Sequence, residues 1–401
     1  MTNLENRLKK YVAFDTMSDP NSDRCPSSKG QEVFAEKLVE ELKALGLASA
    51  YKDENGYVYA KLPGNTKAPA IGFISHMDTS PDMYGKCLDP QVLLYQGGDI
   101  RLNDQYSISL KDFPFLKDLE GQRLMTTRGD SLLGADDKAG IAIIMELVDY
   151  LMANPQIKRG DVCIAFTPDE EIGRGADLFN VKDFGADFAY TIDGGPEGEL
   201  EYESFNAASA NLVIKGKNVH PGSAKNVMIN SQLIAMELES LLPKAQKPEY
   251  TEKYEGFFLL TNIEGNVEET KVNYIIRDHS RKLFEEKKDL FRKIVDFLND
   301  KYDNRLELII EDSYYNMKEK IQEKMEIVEL AKQAYMQTGV EPNIKAIRGG
   351  TDGSKLSFMG LLTPNIFTGG YNYHGRFEFV SLDQMEKSFE IIKTIVVNNA
   401  M

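Results

Sequence analysis

Hydrophobic and polar positions follow two rhythms along this chain, and the changes of rhythm mark its elements. Asn3 to Phe14 has apolar residues at helical spacing, and Ser27 to Leu45 repeats the pattern more strongly. Ser28 suits a helix cap there, and Gly46 stops the run. Tyr57 to Leu62 alternates with a period of two, as a half-buried strand does, before Pro63-Gly64 turns the chain. Ile71 to Ser75 reads as a buried strand that runs into His76, Met77 and Asp78. A polar, Gly-rich and aromatic stretch, Asp82 to Asp130, contains strand-like runs at Val92 to Tyr95 and Arg123 to Thr126 and reads as a β-rich insertion. Lys138 to Met152 predicts a helix with a wide apolar face, with Asp136 and Asp137 at its start. Val162 to Thr167 and Phe188 to Ile192 are continuous apolar runs, as central parallel strands buried on both faces require. Asn365 to Thr368 adds another short strand, and a helix from Leu382 to Val397 closes the pattern.

Between residues 206 and 313 the order changes. Ala210 to Ile214, Asn230 to Leu242, Gly256 to Ile263, Glu268 to Arg277, Ser280 to Lys301 and Arg305 to Glu311 read strand, helix, strand, strand, helix, strand. That is the ferredoxin-like plan. Lys318 to Thr338 is helical again. The expected fold is therefore α/β, a mostly parallel central sheet with flanking helices, interrupted by an inserted ferredoxin-like α+β domain. The expected division is 1–205 and 314–401 for the main domain and 206–313 for the insert.

In open α/β sheets, sites form at the carboxyl ends of strands. Four predicted strand ends here carry His76 with Asp78, Glu170 with Glu171, Asp193, and His374. In an extended chain residues i and i+2 face the same way, so Asp78 can accept a hydrogen bond from the His76 ring nitrogen that a metal would not use. The bland reading of such a histidine is a strand end without function. The bland reading of an aspartate at a helix start is a cap, a role that suits Asp137 better than Asp136.

Composition narrows the chemistry. The chain of 401 residues has 47 Lys+Arg against 63 Asp+Glu, a net charge of −16, which argues against a nucleic-acid or anionic-membrane partner. Cys25, Cys87 and Cys163 are far apart, so a disulfide framework and a thiolate zinc site are both disfavoured and a reducing compartment fits. The charged, amphipathic first residues lack the apolar core of a signal peptide, and no apolar run is long enough for a membrane span; a soluble cytoplasmic protein is expected. With cysteine excluded, two histidines and several carboxylates describe a nitrogen/oxygen metal site that suits zinc, with cobalt or manganese as substitutes. Five ligands exceed what one catalytic zinc takes. They match two metals about 3.5–4 Å apart that share a carboxylate. Of the neighbours Glu170 and Glu171, one can then be a ligand and the other a base.

The segments SHMDTS, LLGADDKAG, FTPDEEIG, YTIDGG, NVHPGSAKN, IIRD, RGGTDGS and GGYNYHGRFE, in that order, resemble the peptidase T family of tripeptide aminopeptidases, within the superfamily of dinuclear-zinc exopeptidases and aminoacylases. The resemblance spans essentially the whole chain. GADDK, PDEE, HPG and GGTDG mark the superfamily; the long insertion before LLGADDKAG and the GGYNYHG segment mark the family. The resemblance implies that His76 and Asp193 bind one zinc, Glu171 and His374 the other, and that Asp136 bridges them. It implies Glu170 as general base and acid, Asp78 as orienter of His76, His220 as the residue that steadies the oxyanion, and Arg277 as the holder of the substrate's terminal carboxylate. His279 matches no functional position. Arg376-Phe377 and Asp130 depart from the family pattern without touching a proposed ligand. The implied substrates are short peptides, mainly tripeptides, and the edge strand of the insert is a candidate homodimer surface. A sister activity (dipeptidase, carboxypeptidase or N-acyl-amino-acid deacylase) shares the superfamily motifs and is opposed by the long insertion. A non-enzymatic peptide-binding protein would lack a ligand or the base, and none is missing.

Overall fold

The computed structural model describes residues 2–401. They form two compact units, one of residues 2–202, Glu319–Lys345 and Thr351–Met401, the other of Glu203–Lys318 and Ala346–Gly350.

The first unit is organised on an eight-stranded sheet. Its middle is four parallel strands in the spatial order Val162–Thr167, Ile71–His76, Phe188–Gly194, Asn365–Phe367. The sheet as a whole is mixed. Val58–Leu62 runs antiparallel on one flank and Glu199–Glu201 on the other, and the two-residue strands Tyr51–Lys52 and Asn343–Ile344 form the edges. Because the four middle strands are parallel, their carboxyl ends share one edge, and that edge receives His76, the PDEE turn, Asp193 and the loop to His374. His76 pairs in register with Thr167.

Helix Ala135–Ala153 has non-helical backbone at Asp136 and Asp137, so its regular part begins at Lys138, where its apolar face does, and residues 137–148 are each buried. It lies against strands Ile71–His76 and Phe188–Gly194 on one side and against helices Leu4–Val12 and Leu382–Asn398 on the other. Gly140 is the reason it can come so close: a Cβ there would lie 1.9 Å from Ile192 O and 2.5 Å from Ser75 Oγ. The buried Glu146 on this helix is offset by Arg7, whose guanidinium reaches Glu146 at 3.0 Å, Glu41 at 2.7 Å and Asp149 at 2.6 Å.

The aromatic stretch after Asp82 is not free-standing. Gln91–Leu94 and Arg123–Thr126 pair with Gly370–Tyr371 and Phe379–Ser381 in one antiparallel sheet. Tyr95, Ile100, Leu102, Ile108, Leu116 and Leu124 pack with Phe379 beneath it. The segment therefore builds half of the scaffold around residues 370–381.

In the second unit, strands Phe257–Gly265, Glu269–Asp278, Asn206–Lys215 and Leu306–Tyr314 form an antiparallel sheet in that spatial order. Helices Ser231–Leu241 and Arg281–Tyr302 cover one face, with Leu212, Ile234, Leu238, Tyr274, Phe284 and Phe291 at the core. Ser280 caps the longer helix through Leu283 N–H. Among the described residues no helix is long and apolar enough to cross a membrane.

Arg7→Met keeps the aliphatic stem but leaves Glu146 buried without its cation. We expect a loss of roughly 3 kcal/mol, the low end for breaking a buried ion pair because Asp149 is half exposed. Guanidinium denaturation of the variant beside the parent measures it; an unchanged midpoint would show the Arg7 network to be energetically neutral.

Candidate metal centre

The strand Ile71–His76 ends with its histidine nearly sealed, 2 % exposed. Its Nδ1 faces Asp78, 3.1 Å from the main-chain carbonyl oxygen and 3.3 Å from Oδ1. The strand geometry thus puts Asp78 behind His76, with the main-chain oxygen the nearer partner. The Asp78 carboxylate does more elsewhere: Oδ1 accepts the Glu170 N–H at 3.0 Å and Oδ2 the Glu171 N–H at 3.1 Å. One buried carboxylate therefore ties the PDEE turn to the histidine strand. Asp169, one residue earlier, is fixed by the Ser27 N–H and the Gln31 amide.

Asp136 stands between the two histidines. Its Oδ1 lies 2.9 Å from His76 Nε2 and its Oδ2 3.3 Å from His374 Nε2. Asp193 Oδ1 is 3.5 Å from His76 Nε2, and Glu171 Oε2 is 3.0 Å from His374 Nε2. His76, Asp136 and Glu171 form one group whose ligand atoms lie within 4.8 Å of one another, and His76, Asp137 and Asp193 form another. Asp137, however, is engaged on both oxygens, accepting the His76 N–H at 3.2 Å and the Gly140 N–H at 3.2 Å. Asp193 is held through its N–H by Asn365, which in turn donates to Glu201.

The electrostatics of this cluster ask for cations. Burial pushes the Asp193 carboxyl up to about 6, against the pull of His76. It pushes Glu171 up to about 7, with Asp136 adding to the rise. Burial also raises Glu170 strongly, opposed by His76 and reinforced by the charges of Asp193 and Asp352. Asp136 goes the other way: burial would raise it, but bonds to His374 and His76 hold it below the usual carboxylate range. Hydrogen bonds to Asp136 and Glu171 raise His374 to about 11. Among the described residues the basic partners of these carboxylates are the two histidines alone, with no Lys or Arg ion pair. Glu171 Oε1 is buried without any hydrogen-bond partner. Two imidazoles, three carboxylates and an orphaned carboxylate oxygen turned inward fit hard-to-borderline divalent cations.

Sequence reasoning missed two further acids here. Asp352, in the GGTDG segment, is 5 % exposed and accepts the Thr167 hydroxyl at 2.6 Å. Glu378, in GRFEF, is 1 % exposed and accepts main-chain N–H bonds around Asp136. Both lie in segments that carry the family resemblance, RGGTDGS and GGYNYHGRFE, but as acids with no role attached.

His220 and Arg277 belong to the second unit. His220 is exposed and caps a short turn, its Nδ1 accepting the Gly222 N–H at 3.1 Å, which leaves the proton on Nε2. Arg277 is half-buried on strand Glu269–Asp278; it donates to Arg348 O at 3.3 Å, and its Nε is buried without a partner. Asp278 pairs with Lys287 at 3.1 Å rather than with Arg277. His279 is buried, packed on Phe205 and 3.0 Å from Ile347 O.

A model of peptidase family M20/M25/M40 matches residues 128–398. The chain belongs to that family. It is 57% identical over 404 residues to the peptidase T of Alkaliphilus oremlandii (strain OhILAs), covering 99% of this chain and 99% of that one. Among solved structures, a tripeptidase of Staphylococcus aureus subsp. aureus mu50 has a TM-score of 0.79 at 20% identity, covering 99% of this chain and 98% of that one. A dinuclear metal-binding M20 peptidase of Bacillus subtilis has a TM-score of 0.66 at 13% identity, covering 98% and 97%. At those identities the two structures establish a shared M20 fold.

Asp78→Asn tests the tie between strand and PDEE turn. An amide can accept only one of the two N–H bonds, so one buried donor loses its partner, at a cost of about 1–3 kcal/mol. Thermal unfolding should register it; an unchanged transition would mean the carboxylate is not what holds the turn.

Proposed function

We propose that this M20 family member is a cytoplasmic aminopeptidase that uses two zinc ions to release the N-terminal residue of tripeptides. The observation that carries the reading is Asp136, whose two oxygens each face a different histidine. His76 with Asp193 would hold one metal, His374 with Glu171 the other, and Asp136 would be shared by both. Asp137, with both oxygens taken by main-chain donors, stays outside the ligand set. The 57% identity to a peptidase T supports the tripeptide substrate class. The dinuclear M20 relative of the same fold supports a pair of metals. Cobalt or manganese would satisfy the same donors.

Bound there, two zinc ions would polarise the scissile carbonyl and make water a nucleophile near neutral pH. Glu170 is the general base and acid: its carboxyl takes no hydrogen bond from a described side chain, and burial favours its uptake of a proton. It would remove the water proton during attack and hand it to the leaving amine. Asp78 holds His76 in place and sets Glu170 and Glu171 on one turn. In the same reading His220 offers its Nε2–H to the oxyanion, and Arg277 offers its planar fork to the terminal carboxylate of the peptide. Residues 206–313 are the proposed lid and dimerisation-type domain, with their edge strand as the proposed homodimer contact.

A matched dipeptide, tripeptide, tetrapeptide and N-acetyl tripeptide, incubated with zinc-loaded protein, test the substrate class by their products. Loss of the first residue from the tripeptide alone is the expected result. Cleavage of the N-acetyl peptide or preference for the dipeptide would point to the deacylase or dipeptidase alternatives.

The neighbours Glu170 and Glu171 should separate cleanly. Glu170→Gln is expected to keep both metals while kcat falls by roughly 10²–10⁴-fold. Glu171→Gln should lower the metal content measured by elemental analysis. The reverse pattern would exchange the two roles.

A further inference from the structure

The loop that carries His374 delivers a second acid to the same place. Glu378 N–H donates to Gly375 O at 3.0 Å, closing a turn that begins beside the histidine. The Glu378 side chain then meets the irregular backbone that leads into helix Ala135–Ala153, where Asp136 and Asp137 are not helical. Its Oε2 accepts the N–H groups of Leu133 at 2.8 Å and Gly134 at 2.9 Å, and its Oε1 the N–H of Asp136 at 3.1 Å. Gly134 has φ 78°, a left-handed conformation that turns successive N–H groups toward one point and makes a concave anion cradle. Three converging donors need an acceptor with lone pairs on both atoms. A carboxylate supplies that; a glutamine presents an N–H at one end.

One short span of chain thus has His374 at one end and a grip on the Asp136 main chain at the other. Asp136 cannot move away from His374 without breaking an N–H bond to a buried carboxylate. We propose that Glu378 is a positioning residue of the metal centre, holding the backbone of Asp136 so that its two oxygens stay aligned with His76 and His374. This rests on the two-metal reading of the site.

Cobalt titration of the apo protein tests it, followed by calorimetry and by visible absorption, with circular dichroism as the measure of folding. The parent protein should take up two ions. Glu378→Gln should remain folded and bind both ions about 10–100-fold more weakly, the usual effect of removing an outer partner, with a shifted absorption band. Gly134→Ala alters the donors rather than the acceptor and should weaken cobalt in the same direction. Phe377→Leu is the stability control, because Phe377 packs on Phe113 and Tyr106 and touches no proposed ligand. It should lower the melting temperature and leave cobalt affinity near that of the parent. Parent-like cobalt affinity in both Glu378→Gln and Gly134→Ala would overturn the proposal. So would an equal affinity loss in Phe377→Leu at a matched drop in melting temperature. A parent protein that takes up fewer than two ions would instead overturn the two-metal reading, and the bridging role of Asp136 with it.

Discussion

Seven acids, Asp78, Asp136, Asp137, Glu170, Glu171, Asp193 and Asp352, are gathered at one edge of a sheet with two histidines for cationic company, and that concentration of like charge is the constraint on which the rest of the first unit depends. Isolated buried carboxylates are costly, and five of these seven are made tolerable in one of two ways. Asp78 and Asp137 are satisfied by main-chain N–H groups. Asp136, Glu171 and Asp193 look instead at histidine nitrogens and at each other, an arrangement that divalent cations would complete in the two-metal reading. In that reading, the division between acids that build and acids that bind is drawn by which of them meet the backbone.

Parallel strands make that gathering feasible. Each of the four middle strands brings its carboxyl end to the same edge, and each crossover returns the chain to start another. Gly140 allows the central helix to sit against Ile192, so the helix start places Asp136 beside the strand ends. The antiparallel sheet shared by Arg123–Thr126 and Phe379–Ser381 then fixes the loop of His374 from the far side.

Much of this was legible in the sequence. The runs at Ile71, Val162 and Phe188 are long and apolar enough to announce buried strands, and the polar residues that end them stand out for that reason. The strands at Tyr51–Lys52, Glu199–Glu201 and Asn343–Ile344 are too short to carry a period, so the mixed character of the sheet was hidden. The helical run expected from Lys318 to Thr338 is broken by a tighter turn at Gln322–Lys324, which the spacing did not reveal. Asp78 was readable as a partner of His76 because period-two geometry is local, whereas its bonds to Glu170 and Glu171 depend on strand pairing. Glu378 was invisible for a similar reason: it acts on main-chain N–H groups, which leave no mark on the identity of the residues that own them.

The order of the proposed ligands along the chain has a consequence for biosynthesis. His76, Asp136, Glu171 and Asp193 all leave the ribosome before the second unit is made, while His374 and Glu378 emerge only after it. A nascent chain therefore carries a cluster of mutually repelling acids with one histidine and cannot finish the centre until some 180 further residues have been added, a span set by the positions of Asp193 and His374. In the two-metal reading, a chain cut short within the second unit would hold four of the five proposed ligands and lack His374.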